Sequence, residues 1–190
     1  MEAEKLAMTV EEYLEHTKTS TIKYEWVQGQ AWAMTGGRLR HQAVGANVLA
    51  AFTFTLRGRP CRPTSSDQRI YIAATGNYYY ADVSVVCGRF ERPEQDSHSI
   101  VNPAILVEVL SPSTRNYDLG GKFDDYRLIP TLRDVLFIDP AKPHVVHMAR
   151  TEEGWLRRDL SEGTVTLTAL PDLQLTFDEI YADLDDVPAD

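Results

Sequence analysis

Between His41 and Leu56 the apolar residues Val44, Val48, Leu49, Phe52 and Leu56 recur at helical spacing. That pattern predicts one long amphipathic helix, ended by the breaker-rich stretch "RGRPCRP". Elsewhere the period changes. "DQRIYIA" (67–73) alternates and reads as a strand, "TGN" turns the chain, and "YYYADVSVVC" (78–87) returns as its partner. Residues 104–110, "AILVEVL", are apolar almost without a break, the pattern of a strand buried on both faces. "DVLFID" (134–139) reads as another inner strand.

Local signals fill in the rest. "TVEEYLEH" carries Thr9 with Glu12 three residues on, a capping box for a short helix. "YEWVQGQAWAM" (24–34) reads as a hairpin turning at Gln28-Gly29. "DLGGKFDDYRLI" places Leu119, Phe123 and Tyr126 on one helical face, with Pro130 beyond its end. After Pro140, "HVVHMAR", "GWLRRDL" and "TVTLTAL" predict an antiparallel meander, and "TFDEIYADL" a closing helix capped by Thr176 and Glu179. The order predicts an α/β or α+β sandwich: a mixed central sheet flanked by helices, with an added antiparallel C-terminal meander. At 190 residues the chain suits one domain, able to bury roughly 70% of its unfolded surface without a staple.

Charge and cysteine content narrow the function classes. The net charge of −9 argues against indiscriminate polyanion binding. Its distribution is uneven: residues 38–69 hold six arginines and one acid, whereas residues 178–190 hold six acids and no basic residue. Cys61 and Cys87 form neither a CxxC pair nor a disulfide framework, so a buried, reduced Cys87 thiol is expected. The acid-rich start does not read as a secretory or transit peptide, and no run approaches the ~18 apolar residues of a membrane span. A cytoplasmic protein is expected.

One residue breaks the buried strand: Glu108. An ionised carboxylate is seldom fully buried without a partner, because desolvation costs several kcal/mol. An arginine such as Arg115 is one candidate. Asp82 is the other, if strands 82–87 and 104–110 are neighbours, since two adjacent carboxylates must share a proton or bind a cation. A hard cation such as Mg²⁺ takes one or two carboxylates, waters and substrate phosphates. Lys122, the only lysine between Lys23 and Lys142, begins the next helix and is placed to align a water.

This arrangement resembles the PD-(D/E)XK nuclease superfamily and, more closely, its Uma-two family of restriction endonucleases. The likeness runs through about residues 8–184, carried by "MTVEEYLE", "YEWVQG", "AMTGGRLRH", "YYYADVSVVC", "LVEVLSPSTRNYDLGGKFDDYRLIPTLRDVLFIDP" and "GWLRRDL". The resemblance implies a Mg²⁺- or Mn²⁺-dependent DNA endonuclease leaving a 5′-phosphate. Asp82 and Glu108 would hold the metal, with the Val109 carbonyl as a further contact. Glu25 would be an assisting acid and Lys122 the water-orienting lysine. Leu110 stands where the motif has its lysine and Ala81 where it has its proline. Arg38, Arg40, His41, Arg57 and Arg59 are the candidates for nucleic-acid contact, Gln42 stands beside His41 near the expected site, and a homodimer is implied by analogy.

Plainer readings exist for each residue. Asp82 can be a turn residue before an apolar run, Lys122 a solvated helix lysine, Glu25 a water-facing strand residue and His41 an ordinary helix start. His144 and His147 lie three apart on a strand and so face opposite ways. "LGGKF" lacks the upstream glycine and the Ser/Thr of a phosphate loop.

Overall fold

The computed structural model describes residues 5–34 and 36–188. In chain order these form β1 (Lys5–Ala7), α1 (Val10–Thr19), β2 (Tyr24–Val27), β3 (Gln30–Ala33) and α2 (Leu39–Thr55). Next come β4 (Cys61–Ser65), β5 (Arg69–Tyr71), β6 (Tyr78–Tyr80), β7 (Val83–Cys87), β8 (Ser99–Ile100) and β9 (Pro103–Val109). A helical passage follows: α3 (Arg115–Tyr117), a π-helical stretch (Asp118–Lys122) and α4 (Phe123–Tyr126). The chain closes with β10 (Asp134–Ile138), β11 (Val145–Thr151), β12 (Gly154–Leu160), β13 (Thr164–Thr166), β14 (Gln174–Thr176) and α5 (Phe177–Ile180).

The mixed α+β class holds, but the expected single central sheet is two. One six-stranded sheet runs β1-β3-β2-β6-β5-β8 and the other β12-β11-β10-β9-β7-β4, with β13 and β14 as a separate pair. β9 and β10 are parallel, so the passage from α3 to α4 is a crossover that returns the chain beside the Glu108 strand. α2 lays Val44, Val48 and Phe52 on one face of the second sheet, against Val83, Val107 and Leu136. Phe123 and Tyr126 cover its other face with Leu106, Val135 and Phe137. Each such buried side chain contributes about 1.5–3 kcal/mol by leaving water. Tyr13 of α1 packs on Tyr24, Ala31 and Tyr78 of the first sheet.

Residues 78–87 do not form one strand. β6 pairs with β5 in the first sheet and β7 with β4 and β9 in the second. The break has a local cause. The Tyr80 N–H donates to Glu25 Oε1 and its carbonyl accepts from the Lys122 ammonium, so side chains occupy the groups a longer ladder would use. The chain then steps across at Ala81-Asp82.

The expected meander also ends early. β11 and β12 pair, but β13 turns to β14. The buried Asp134 carboxylate explains the departure: it accepts the backbone N–H groups of Thr168 and Ala169 and contacts His147 Nε2 at 2.8 Å. His147 is thereby a structural partner. A further correction concerns the cysteines. β4, which the sequence pattern had not predicted, places Cys61 directly opposite Cys87, and the two form a disulfide rather than staying reduced. Cys87 is exposed at the end of β7.

Candidate active site

Glu108 projects from β9 into a buried cluster of polar side chains at the seam of the two sheets. Its Oε1 lies 3.0 Å from Lys122 Nζ and accepts the Tyr126 hydroxyl at 2.6 Å. Glu25, on β2 of the other sheet, lies 2.8 Å from the same ammonium. With the Tyr80 carbonyl at 2.9 Å, all three Lys122 protons have acceptors. Arg115, the alternative partner, pairs with Asp139 instead.

Asp82 sits where the chain crosses between sheets. β7 and β9 are antiparallel neighbours with Val83 opposite Val107, which brings Asp82 to the Glu108 end of the pair. Its Oδ2 accepts the Val109 N–H at 2.7 Å and lies 3.5 Å from His41 Nε2. Val109 thus meets Asp82 through its N–H. Asp118, in the π-helical stretch, is buried beside this group and takes a hydrogen bond from Thr114. A π-helical widening inside a helix often marks a functional site. Here it carries Asp118 and Lys122 into the same cluster.

The cluster is electronegative. Burial pushes the Glu108 carboxyl well above the ordinary glutamate range; Lys122 opposes this, while Asp118 and Asp82 add to it. Asp118 is raised for the same first reason, with Glu25 and Asp82 contributing. Burial works against the Lys122 ammonium, yet Glu108, Glu25 and Asp118 outweigh it and hold its pKa well above that of a free lysine. Burial and the Glu108 charge likewise raise Tyr126, which stays a hydrogen-bond donor.

A divalent cation fits this charge balance, since one ammonium faces Glu108, Glu25 and Asp118, and Asp82 adds a further carboxylate beside Glu108. No group of three or more His, Cys, Asp or Glu side chains converges at metal-binding geometry among the described residues. Asp82 Oδ1 and Glu108 Oε2 carry no hydrogen bond there and are the available donors. Two carboxylates completed by water and phosphate suit Mg²⁺ better than a cation needing a full protein cage.

The arginine-rich stretch does not form one surface. Arg69 is buried against Asp96, and Arg40 donates to the carbonyls of Pro140, Leu184 and Val187. Arg38, Arg57 and Arg59 are exposed, the first before α2 and the others after it. Sequence reading missed Asp118 and Tyr126 as members of the site. In the sequence Tyr126 falls on an apolar helix face, and its hydroxyl gives no separate signal. Asp118 had one: it precedes Lys122 by four residues, a helical spacing for ion pairs.

The model of the Uma2 family, described as "Putative restriction endonuclease", matches residues 10–178. The uncharacterized protein slr1290 of Synechocystis sp. is 36% identical over 150 residues, 78% of each chain. A second Synechocystis protein, the uncharacterized sll1609, is 30% identical over 154 residues, covering 80% of this chain and 87% of its own. The crystal structure of a putative nuclease belonging to DUF820 from Anabaena variabilis superposes with a TM-score of 0.69 at 14% identity. That match covers 88% of this chain and 96% of the other, and bears on the fold alone. With the family model spanning most of its length, the chain belongs to the Uma2 family.

Proposed function

We propose that this protein is a DNA endonuclease that uses Mg²⁺ or Mn²⁺ to hydrolyse phosphodiester bonds, leaving a 5′-phosphate. One observation carries the reading: Asp82 and Glu108 meet at one end of a strand pair, beside a buried lysine, in a chain of the Uma2 family. When bound between these carboxylates, the metal would supply charge stabilisation for the phosphoryl group and a nucleophile from water.

The chain's own groups have distinct tasks in this reading. Val109 N–H fixes Asp82, and Tyr126 fixes Glu108. Lys122 offsets part of the burial that favours a protonated Glu108, and Glu25 holds Lys122 from the far sheet. To align a water, the ammonium must exchange one of its three acceptors for that water, and the Tyr80 carbonyl is the uncharged one. Of the arginines named as candidates for nucleic-acid contact, Arg38, Arg57 and Arg59 are exposed and could meet phosphates.

The test is cleavage of single- and double-stranded DNA with Mg²⁺ or Mn²⁺, and with EDTA. Glu108→Ala, Asp82→Ala and Lys122→Ala should each remove most of the activity, because groups acting as a unit fail together. A wild-type protein that cuts neither substrate with either metal rules the reading out. The fully occupied Lys122 ammonium favours one second reading, a nucleic-acid-binding protein that retains the fold without catalysis. Metal binding without hydrolysis would select it.

A further inference from the structure

His41 rests on a glycine that leaves no room for a side chain. A Cβ added at Gly37 would stand 2.3 Å from the imidazole Nδ1 and 2.8 Å from Cγ, so the ring fills that space. The Gly37 backbone lies outside the left-handed region, and the ring is therefore the obstacle to a larger residue. The Gln42 side-chain amide donates to the Gly37 carbonyl and ties this loop to the first turn of α2.

Held in this way, the imidazole turns Nε2 toward Asp82 Oδ2, 3.5 Å away, with its side chain mostly buried. The same oxygen already accepts the Val109 N–H at 2.7 Å. The Val109 N–H and the imidazole, from different elements, thus face one oxygen of Asp82, and Oδ1 has no hydrogen-bond partner among the described residues. Carboxylates that ligate metals are commonly oriented by such outer contacts, and losing one typically costs about 10–100-fold in metal affinity.

We propose that His41, seated on Gly37, is a positioning residue for Asp82: it holds Oδ2 so that Oδ1 alone is presented to the cation. The inference rests on the metal-dependent reading above and assigns to Gly37 and His41 a role in metal affinity rather than in DNA contact.

The experiment is calorimetric titration of Mn²⁺ into the full chain without DNA, with a melting curve for every variant. His41→Ala should weaken binding about tenfold or more. His41→Gln, which keeps an amide donor of similar reach, should recover most of that. Gly37→Ala retains the imidazole but displaces it, and should match His41→Ala. The double variant should bind no worse than His41→Ala alone. An imidazole needed only for packing would lower the melting temperature and leave Mn²⁺ affinity unchanged in His41→Ala and Gly37→Ala; that result, or additive losses in the double variant, overturns the proposal. Wild type that binds no Mn²⁺, or Asp82→Ala that binds as tightly as wild type, removes the metal site and this inference with it. Binding lost in Asp82→Ala but normal in His41→Ala removes only the role of His41.

Discussion

Lys122 Nζ lies 3.0 Å from Glu108 Oε1 and 2.8 Å from Glu25 Oε1, so one buried ammonium joins carboxylates from two sheets. Removing it leaves both acids without their counter-charge. Lys122→Met should destabilise the protein by about 3–5 kcal/mol, the usual loss when one member of a buried ion pair is deleted. Urea denaturation measures this directly. Arg115→Ala, by contrast, breaks a partly exposed pair with Asp139 and should cost less than about 1 kcal/mol. Equal losses in the two variants would mean that Lys122 does not organise the seam.

The pH response of the metal-free protein follows from Glu108. Its folded pKa lies well above the ordinary 4.5, so the folded state keeps a proton that the unfolded chain releases. The stability from that proton is fully present below 4.5 and is lost as pH rises through the folded value. Glu108→Gln should flatten this decline in EDTA and be at least as stable as wild type at neutral pH. Wild type should regain stability with Mg²⁺, by about 2.7 kcal/mol at 100 times the dissociation constant. That corresponds to roughly 5–10 °C in Tm for a chain of this size. Glu108→Gln should lose most of the increment. A large destabilisation by the substitution, with no Mg²⁺ response in wild type, would reduce Glu108 to a structural acid.

The arginines divide by what they touch. Arg57→Gln with Arg59→Gln should flatten the salt dependence of DNA binding, whose log–log slope is about −0.9 per neutralised phosphate on duplex DNA. Arg40→Gln should leave that slope alone and lower stability by about 1.5–3 kcal/mol, because its charged hydrogen bonds to backbone carbonyls are lost. Electrophoretic binding assays across a salt series, paired with melting curves, separate the two classes. An unchanged slope for the Arg57 and Arg59 variant would move the binding surface elsewhere.

The Cys61–Cys87 bridge joins residues 26 apart. Chain-entropy reasoning assigns such a loop about 3.5 kcal/mol. Dithiothreitol should therefore lower the Tm of wild type and leave a Cys61→Ser variant unaffected. Thiol titration of the protein isolated without oxidant would show whether the bridge forms unaided, since disulfides are rare in reducing compartments. Equal melting temperatures with and without reductant would show that the bridge adds nothing to stability.

Features set by near neighbours were legible in the sequence. Thr9 with Glu12 and Thr176 with Glu179 form the two capping boxes that their spacing predicts. Gln28 and Gly29, both at positive φ, make the tight turn of the predicted hairpin. The buried strand around Glu108 and the long helix also follow their patterns. Glu108 stands out by itself as a carboxylate in an apolar strand, whereas Asp82 and Lys122 gain meaning only from their relation to it and Glu25 only from the family resemblance.

Who meets whom was decided by tertiary structure. Nothing local to Tyr80 indicates that its N–H and carbonyl will be taken by Glu25 and Lys122, which ends one strand and sends residues 83–87 into another sheet. The same holds for Cys61, whose partner depends on the pairing of β4 with β7, and for Arg40 and Arg69, whose charges are turned inward by distant carbonyls and Asp96. Periodicity records which face of an element is apolar, because that face must leave water whatever covers it. The partner of a buried charge depends on the three-dimensional register of elements tens of residues apart, and for Glu108 that register supplied Lys122 and Tyr126.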